Sequence, residues 1–195
     1  VAAEGPVSGG AAAPGTCEGV LVLTGIMAAG KSTVAEALAA RLPRAAHIRG
    51  DVFRRMVVSG REEYAPGAGP EAEAQLRLRH RLSAATADAY AAAGFTAVVQ
   101  DVVLGPHLTA YVDLFRTRPL YVVVLAPSPE AVAAREAGRA KSGYGTGDTS
   151  WTVASLDRGL RETTPRLGLW LDSSESTVPE TVDAVLAGLG RARVR

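Results

Sequence analysis

Between Thr24 and Thr33 the chain reads Gly25-Ile26-Met27-Ala28-Ala29-Gly30-Lys31-Ser32, a G-x-x-x-x-G-K-S loop. Its residue types suit the holding of a polyphosphate. Glycines let the backbone turn its N–H groups inward, the Lys31 ammonium offsets charge at the β/γ end, and the Ser32 hydroxyl is placed to ligate Mg²⁺. Gly25, Ala28, Ala29, Gly30, Lys31, Ser32 and Thr33 are therefore the expected nucleotide-binding residues.

Carboxylates stand at two later points where chemistry on a bound phosphate would need them. In Arg49-Gly50-Asp51-Val52-Phe53-Arg54-Arg55, Asp51 opens a helix and Arg54 follows within one turn, so both can face the same side. A carboxylate there can accept the proton of an attacking hydroxyl, with Arg54 or Arg55 holding the substrate. The structural alternative is a helix cap with ordinary surface arginines. Farther on, Gln100-Asp101-Val102-Val103 puts Asp101 at a strand end, where an acid would hold Mg²⁺ directly or through water, or would serve a turn. Arg135 and Arg139 lie one helical turn apart, and guanidinium groups both stack on bases and neutralise phosphoryl oxygens. The glycine-rich run Ser142-Gly143-Tyr144-Gly145-Thr146-Gly147 behind them is a hinge candidate.

The segment Val57 to Gln75, interrupted by Gly60, Pro66, Gly67, Gly69 and Pro70, is expected to shape the acceptor pocket, with Tyr64 its one aromatic residue, able to stack on a ring or pack on a loop. Leu76-Arg77-Leu78-Arg79-His80-Arg81-Leu82 reads as a helix with its leucines buried and its charge outside. On that reading His80 is a surface histidine. His47 and His107 have no metal-ligand spacing with it.

These residues need a scaffold, and the apolar pattern supplies one. Val20 to Thr24, Ala45 to Arg49, Phe95 to Gln100, Leu120 to Leu125 and Leu167 to Leu171 read as strands. Helices are expected at Ser32 to Leu42, Asp51 to Ser59, Glu71 to Ala93, Pro106 to Arg116, Pro129 to Lys141, Ser150 to Arg161 and Pro179 to Arg191. Alternating strands and helices imply an α/β fold with right-handed crossovers, a parallel sheet covered on both faces, and ligands at the carboxyl ends of the strands.

Residues 1–16, rich in Ala, Gly and Pro, read as a flexible tail, and residues 17–195 as one domain. A formal net charge of +1 gives no bulk attraction for polyanions. No apolar run has membrane-spanning length. The single cysteine, Cys17, forms no internal disulfide, as suits a reducing cytoplasm.

The phosphate loop, the Gly50-Asp51-x-x-Arg54 element and the Gln100-Asp101-Val102-Val103 strand end together resemble the small P-loop kinases of the chloramphenicol phosphotransferase type, in a wider group with shikimate, gluconate and polynucleotide kinases. The resemblance implies a P-loop NTPase fold with a five-stranded parallel core, the loop strand in its middle, and a helical lid at about 129–149. It also implies ATP (or GTP) with Mg²⁺ and a small-molecule hydroxyl acceptor, an antibiotic being the leading class. Asp51 then matches the catalytic base. Arg135 would lie over the adenine, Arg139 would reach the transferring group, and Ser173 would edge the adenine pocket. Because Asp51-x-x-Arg54 also matches the polynucleotide kinase pattern, a nucleoside or polynucleotide 5′-hydroxyl kinase is the second reading, although interleaved aromatics for a nucleic-acid track are missing. A non-catalytic nucleotide-dependent regulatory module would keep Lys31 and Ser32 while needing neither Asp51 nor Arg54.

Overall fold

A strand covered by helices on both faces has no solvent side, so its residues need not alternate in polarity. That is how β1 (Val20–Thr24), β3 (Thr96–Gln100) and β4 (Leu120–Leu125) are built in the computed structural model, which describes residues 17–138, 144 and 150–194. β1 and β3 are buried throughout, whereas β2 (Ala45–Arg49) buries only Ile48 fully, as an edge strand does. With β5 (Leu169–Leu171) these strands form a parallel sheet in the order β2-β3-β1-β4-β5, which puts the loop strand in the middle. The register sets Leu23 beside Gln100 on one side and Val123 on the other. A short β6 (Arg193–Val194), absent from the sequence expectation, pairs antiparallel with the start of β4. At that length no periodicity could announce it.

The helices are α1 (Lys31–Arg41), α2 (Gly50–Arg55), α3 (Pro70–Ala92), α4 (His107–Val112), α5 (Pro129–Ala137), α6 (Val153–Arg158), α7 (Val178–Ala187) and α8 (Leu189–Ala192). Local signals start several of them. Ser128 caps α5 and Thr152 caps α6, while Thr177 and Glu180 form a capping box at α7 with Pro179 in its first turn. Other ends differ from expectation. α2 stops at Arg55, α4 is confined to His107–Val112, and α6 runs into a π-helical turn at Gly159–Thr163. The expected last helix divides at Gly188, where a Cβ would come 2.4 Å from Leu169 Cδ2. The chain therefore needs glycine to bring this helical turn against β5.

The largest difference concerns α3. Its buried side carries Ala72, His80, Ser83, Ala84 and Ala87, while Leu78 and Leu82 are 38% and 42% exposed. Small residues let α3 lie close to α2 and β3, so the sheet-facing stripe is the alanine stripe and the leucines turn outward. His80 is thus interior rather than on the surface. No helix among the described residues is long and apolar enough to cross a membrane.

Candidate functional site

The carboxyl edge of the sheet gathers the loop after β1, Asp51 after β2, Asp101 after β3 and Ser173 after β5 around one cavity of about 1150 Å³. That exceeds the roughly 300–1,000 Å³ of a typical single-ligand pocket. It has room for a nucleotide beside a second small molecule.

At one end lies the phosphate loop. Gly25 leaves β1 with φ 146°, and a Cβ there would stand 2.4 Å from the Leu125 carbonyl oxygen, so only glycine lets β1 and β4 end side by side. Ala28 and Gly30 also have positive φ, 60° and 93°, which curls the loop over its own N–H groups. For an alanine this backbone costs about 1–2 kcal/mol. Gly30 caps α1 with no side chain, leaving the first-turn N–H groups and the helix dipole for an anion. Lys31 is buried and donates from Nζ to the Ile26 carbonyl at 2.7 Å, while Ser32 and Thr33 are exposed at the cavity wall. The cradle therefore fits a polyphosphate, with the Ser32 hydroxyl as the residue able to ligate Mg²⁺. Thr24 fixes the loop to the end of β3, since its hydroxyl donates to the Val103 carbonyl and accepts from the Val103 N–H.

The far wall of this end is Arg135. From α5 it donates to the carbonyls of Ala29, Ser173 and Ser174, joining the phosphate loop to the segment after β5. Ser173 is buried, and its Oγ has no hydrogen-bond partner. Tyr144 donates to the Met27 carbonyl at 2.6 Å, a loop contact the sequence reading did not foresee. Arg139 and the hinge candidate around Tyr144 lie outside the described residues, so of the expected lid only α5 and Tyr144 are seen.

The opposite end is built from side chains of distant segments. Asp51 Oδ2 accepts from Arg55 at 2.8 Å, while Oδ1 is shielded from solvent, makes no hydrogen bond, and has Arg49 Nε 3.5 Å away. Arg54 lines the cavity paired with Glu63, whereas Arg55 is outside the lining and serves Asp51 instead. Asp101 differs most from its expected role. It is 3% exposed, and both of its oxygens are taken by Arg79 of α3, with Nε donating to Oδ2 at 2.8 Å and a second guanidinium nitrogen to Oδ1. The Val102 N–H adds a third donor at 2.7 Å. A carboxylate so held is not open for direct metal ligation. It sits under Gly50 instead, where a Cβ would come 1.9 Å from Asp101 Oδ2. The Arg79–Asp101 pair is thereby the base on which Asp51, one residue on, is positioned. Burial, with Arg54 nearby, lowers the Arg79 pKa from its ordinary value, opposed by Asp51 among others.

Aromatic rings complete this end. The Tyr64 hydroxyl meets His107 Nε2 at 3.3 Å, the two rings are edge to face, and the Tyr64 carbonyl accepts from Trp151 Nε1 at 3.3 Å. His80 lies behind them, its ring 4.8 Å from that of Tyr111. Arg79, His80, His107 and Trp151 were not foreseen as site residues. The available signal was the spacing of Ala84 and Ala87 after His80, a small-residue stripe that the neighbouring leucines masked. Trp151 had no local signal at all.

No curated protein sequence matches the chain significantly. Among solved structures, a sugar kinase from Janibacter sp. HTCC2649 is 19% identical with a TM-score of 0.62, covering 90% of this chain and 96% of its own. The tunicamycin resistance protein of Deinococcus radiodurans is 12% identical with a TM-score of 0.64, covering 92% and 99%. Shikimate kinase from Acinetobacter baumannii in complex with shikimate is 16% identical with a TM-score of 0.57, covering 87% and 91%. At these identities the likeness is one of fold. A family model described as AAA domain (AAA_33) matches residues 20–165, from β1 past the π-helical turn. The chain belongs to that AAA domain family.

Proposed function

We propose that the protein is an ATP-dependent kinase that moves the γ-phosphoryl group onto a hydroxyl of a small molecule. The observation that carries this reading is Asp51 Oδ1, a carboxylate oxygen lining the same cavity as the phosphate loop, shielded and without a hydrogen bond. Buried polar atoms are normally paired, so an orphan at this place suits a partner that arrives with the substrate. An incoming hydroxyl would donate to it, lose its proton to it, and attack phosphorus as the oxygen gains charge.

The other residues divide the remaining work. Loop N–H groups and Lys31 hold the phosphates and oppose the charge that builds on the β/γ oxygens. Mg²⁺ bound beside Ser32 would supply further neutralisation of that charge. Arg135 fixes the loop to the Ser173 segment, where the unpaired Ser173 Oγ is free to meet the nucleotide. Arg79 and Asp101 keep Asp51 in place, and Arg55 holds its second oxygen.

The finer reading is a natural-product acceptor, with an antibiotic as the leading class. It is supported by the resemblance to the chloramphenicol phosphotransferase type and by fold similarity to a tunicamycin resistance protein. The absence of any spanning helix among the described residues is compatible with a cytoplasmic enzyme. A polynucleotide acceptor gains no specific support, because Arg54, the residue that would meet a substrate phosphate, is held by Glu63. The test is ADP release from ATP and Mg²⁺ with and without a library of alcohols. Release that depends on an acceptor and disappears in Lys31→Ala supports the reading; release indifferent to every acceptor, oligonucleotides included, would leave a nucleotide-driven regulatory module.

A further inference from the structure

The outer face of α3 is apolar without being covered by any described part of the chain. Leu78, Leu82, Ala85 and Ala89 are all exposed on it, and they follow one another at spacings of four, three and four. That is the 3.5-residue period of a seam that meets another helix. Its two halves differ in size, since leucines occupy the first half and alanines the second. A hollow of about 490 Å³ opens over the second half, lined by Ala85 and Ala89 among the larger Leu82, Tyr90 and Phe95.

Two charges flank this seam on one side, Arg81 and Asp88, one heptad apart. Arg81 is exposed and makes no hydrogen bond or ion pair with any described residue. Asp88 is half-buried, and its carboxylate accepts from the backbone N–H groups of Arg116 and Thr117 but pairs with no cation among the described residues. Seven residues of helix put the two about 10 Å apart along the axis, so they do not pair with each other.

We propose that α3 docks antiparallel on α3 of a second copy of this chain, about a two-fold axis level with Ser83 and Ala84. That axis sets Leu78 opposite the partner's Ala89 and Leu82 opposite the partner's Ala85, with the reverse pairs completing four layers of large against small. The leucines of each copy then enter the hollow over the alanines of the other, as knobs enter holes. The same axis carries Arg81 to the partner's Asp88 twice, because a two-fold contact repeats every pair. A parallel pairing would instead set leucine on leucine at one end, leave a gap between alanines at the other, and face Arg81 with its own copy. So short a seam gives a dimer of modest affinity, with a Kd of about 1–100 µM. The contact stands apart from the phosphotransferase reading and contributes no residue to the cavity.

The test is sedimentation velocity of the whole chain over about 1–200 µM, a range that brackets that affinity. The expected result is a mass that rises from one chain towards two. Arg81→Glu, which turns an unpaired exposed cation into a like charge facing the partner's Asp88, should raise Kd about tenfold or more. Leu82→Gln should abolish the dimer at these concentrations while circular dichroism of the dilute single chain stays unchanged, since Leu82 is outside the core. Register is read by mild oxidation. The variant with Leu82→Cys and Ala85→Cys should give a covalent dimer, and Cys17, being buried, does not compete. Leu78→Cys alone should not, because the two copies of that position lie about 16 Å apart along the antiparallel seam. One-chain mass at every concentration, a dimer indifferent to both Arg81→Glu and Leu82→Gln, or cross-linking of Leu78→Cys alone in place of the paired variant overturns the proposal. None of these readouts uses a substrate, so failure here leaves the kinase reading untouched, and failure of that reading leaves the dimer.

Discussion

The two ends of the cavity are built in opposite ways. The nucleotide end is mostly backbone from one continuous stretch, Gly25 to Thr33, whose left-handed residues and open helix start form the cradle. The acceptor end is mostly side chain, with Asp51 from α2, Arg79 and His80 from α3, Asp101 after β3, His107 from α4 and Trp151 before α6. A backbone cradle tolerates many loop side chains and serves any triphosphate. A side-chain wall changes its chemistry with each substitution. The contrast explains how one fold can keep its phosphate donor while its acceptor varies.

The contrast can be broken first at Asp51. Asp51→Asn is expected to cut phosphoryl transfer by about 10²–10⁴, the range for losing a positioned general base, with nucleotide affinity retained. Single-turnover transfer beside equilibrium ATP binding checks both halves. Next is Lys31→Ala, which should lower kcat by about 10²–10³ with the fold intact, since the loop backbone does the shaping. Circular dichroism and a thermal melt would show whether the loop survives.

Stability should tell the two ends apart as well. His80 falls from an ordinary pKa of 6.5 to about 4 on folding, so the unfolded chain takes up a proton that the folded chain refuses. The resulting stabilisation is complete above about pH 6.5, shrinks as pH falls toward 4, and amounts to of order 3 kcal/mol. His47, also lowered by burial, acts in the same direction. Urea unfolding of wild type and His80→Phe between those pH values isolates the His80 share as the difference in slope. Gly50→Ala should cost about 1–3 kcal/mol, because the new methyl group meets Asp101. It should also raise the acceptor KM more than the ATP KM. The smallest effect belongs to the outer face of α3, where Leu82→Gln should change stability by no more than about 0.5 kcal/mol, while Ala84→Leu on its inner face should be clearly destabilising.

These cases show what could be read from the chain and why the rest could not. The loop, the strands β1, β2 and β4 to the residue, and the positions of Asp51 and Asp101 at strand ends were legible, since each is set by local pattern. The extent of α3 was legible, but its buried face was not, because leucine spacing outweighs alanine spacing on any hydrophobic scale, although close approach to the sheet favours the small residues. The hold on Asp101 that closes it to direct metal ligation was illegible for a related reason. Its partner Arg79 is separated from it by most of α3 and β3, and nothing local marks a guanidinium that folds inward. Trp151 joins Tyr64 only through tertiary structure, so no spacing along the chain could reveal the ring wall.

The central claim is that the orphan oxygen of Asp51 receives the proton of an acceptor hydroxyl during phosphoryl transfer. The most direct measurement is phosphorus NMR of wild type and Asp51→Asn, each incubated with ATP, Mg²⁺ and the acceptor found by ADP release. The account predicts a phosphate monoester on an acceptor oxygen with wild type and only unreacted ATP with Asp51→Asn over the same interval. A monoester formed equally fast by both proteins, or ATP consumed by wild type with inorganic phosphate as the product, would contradict it.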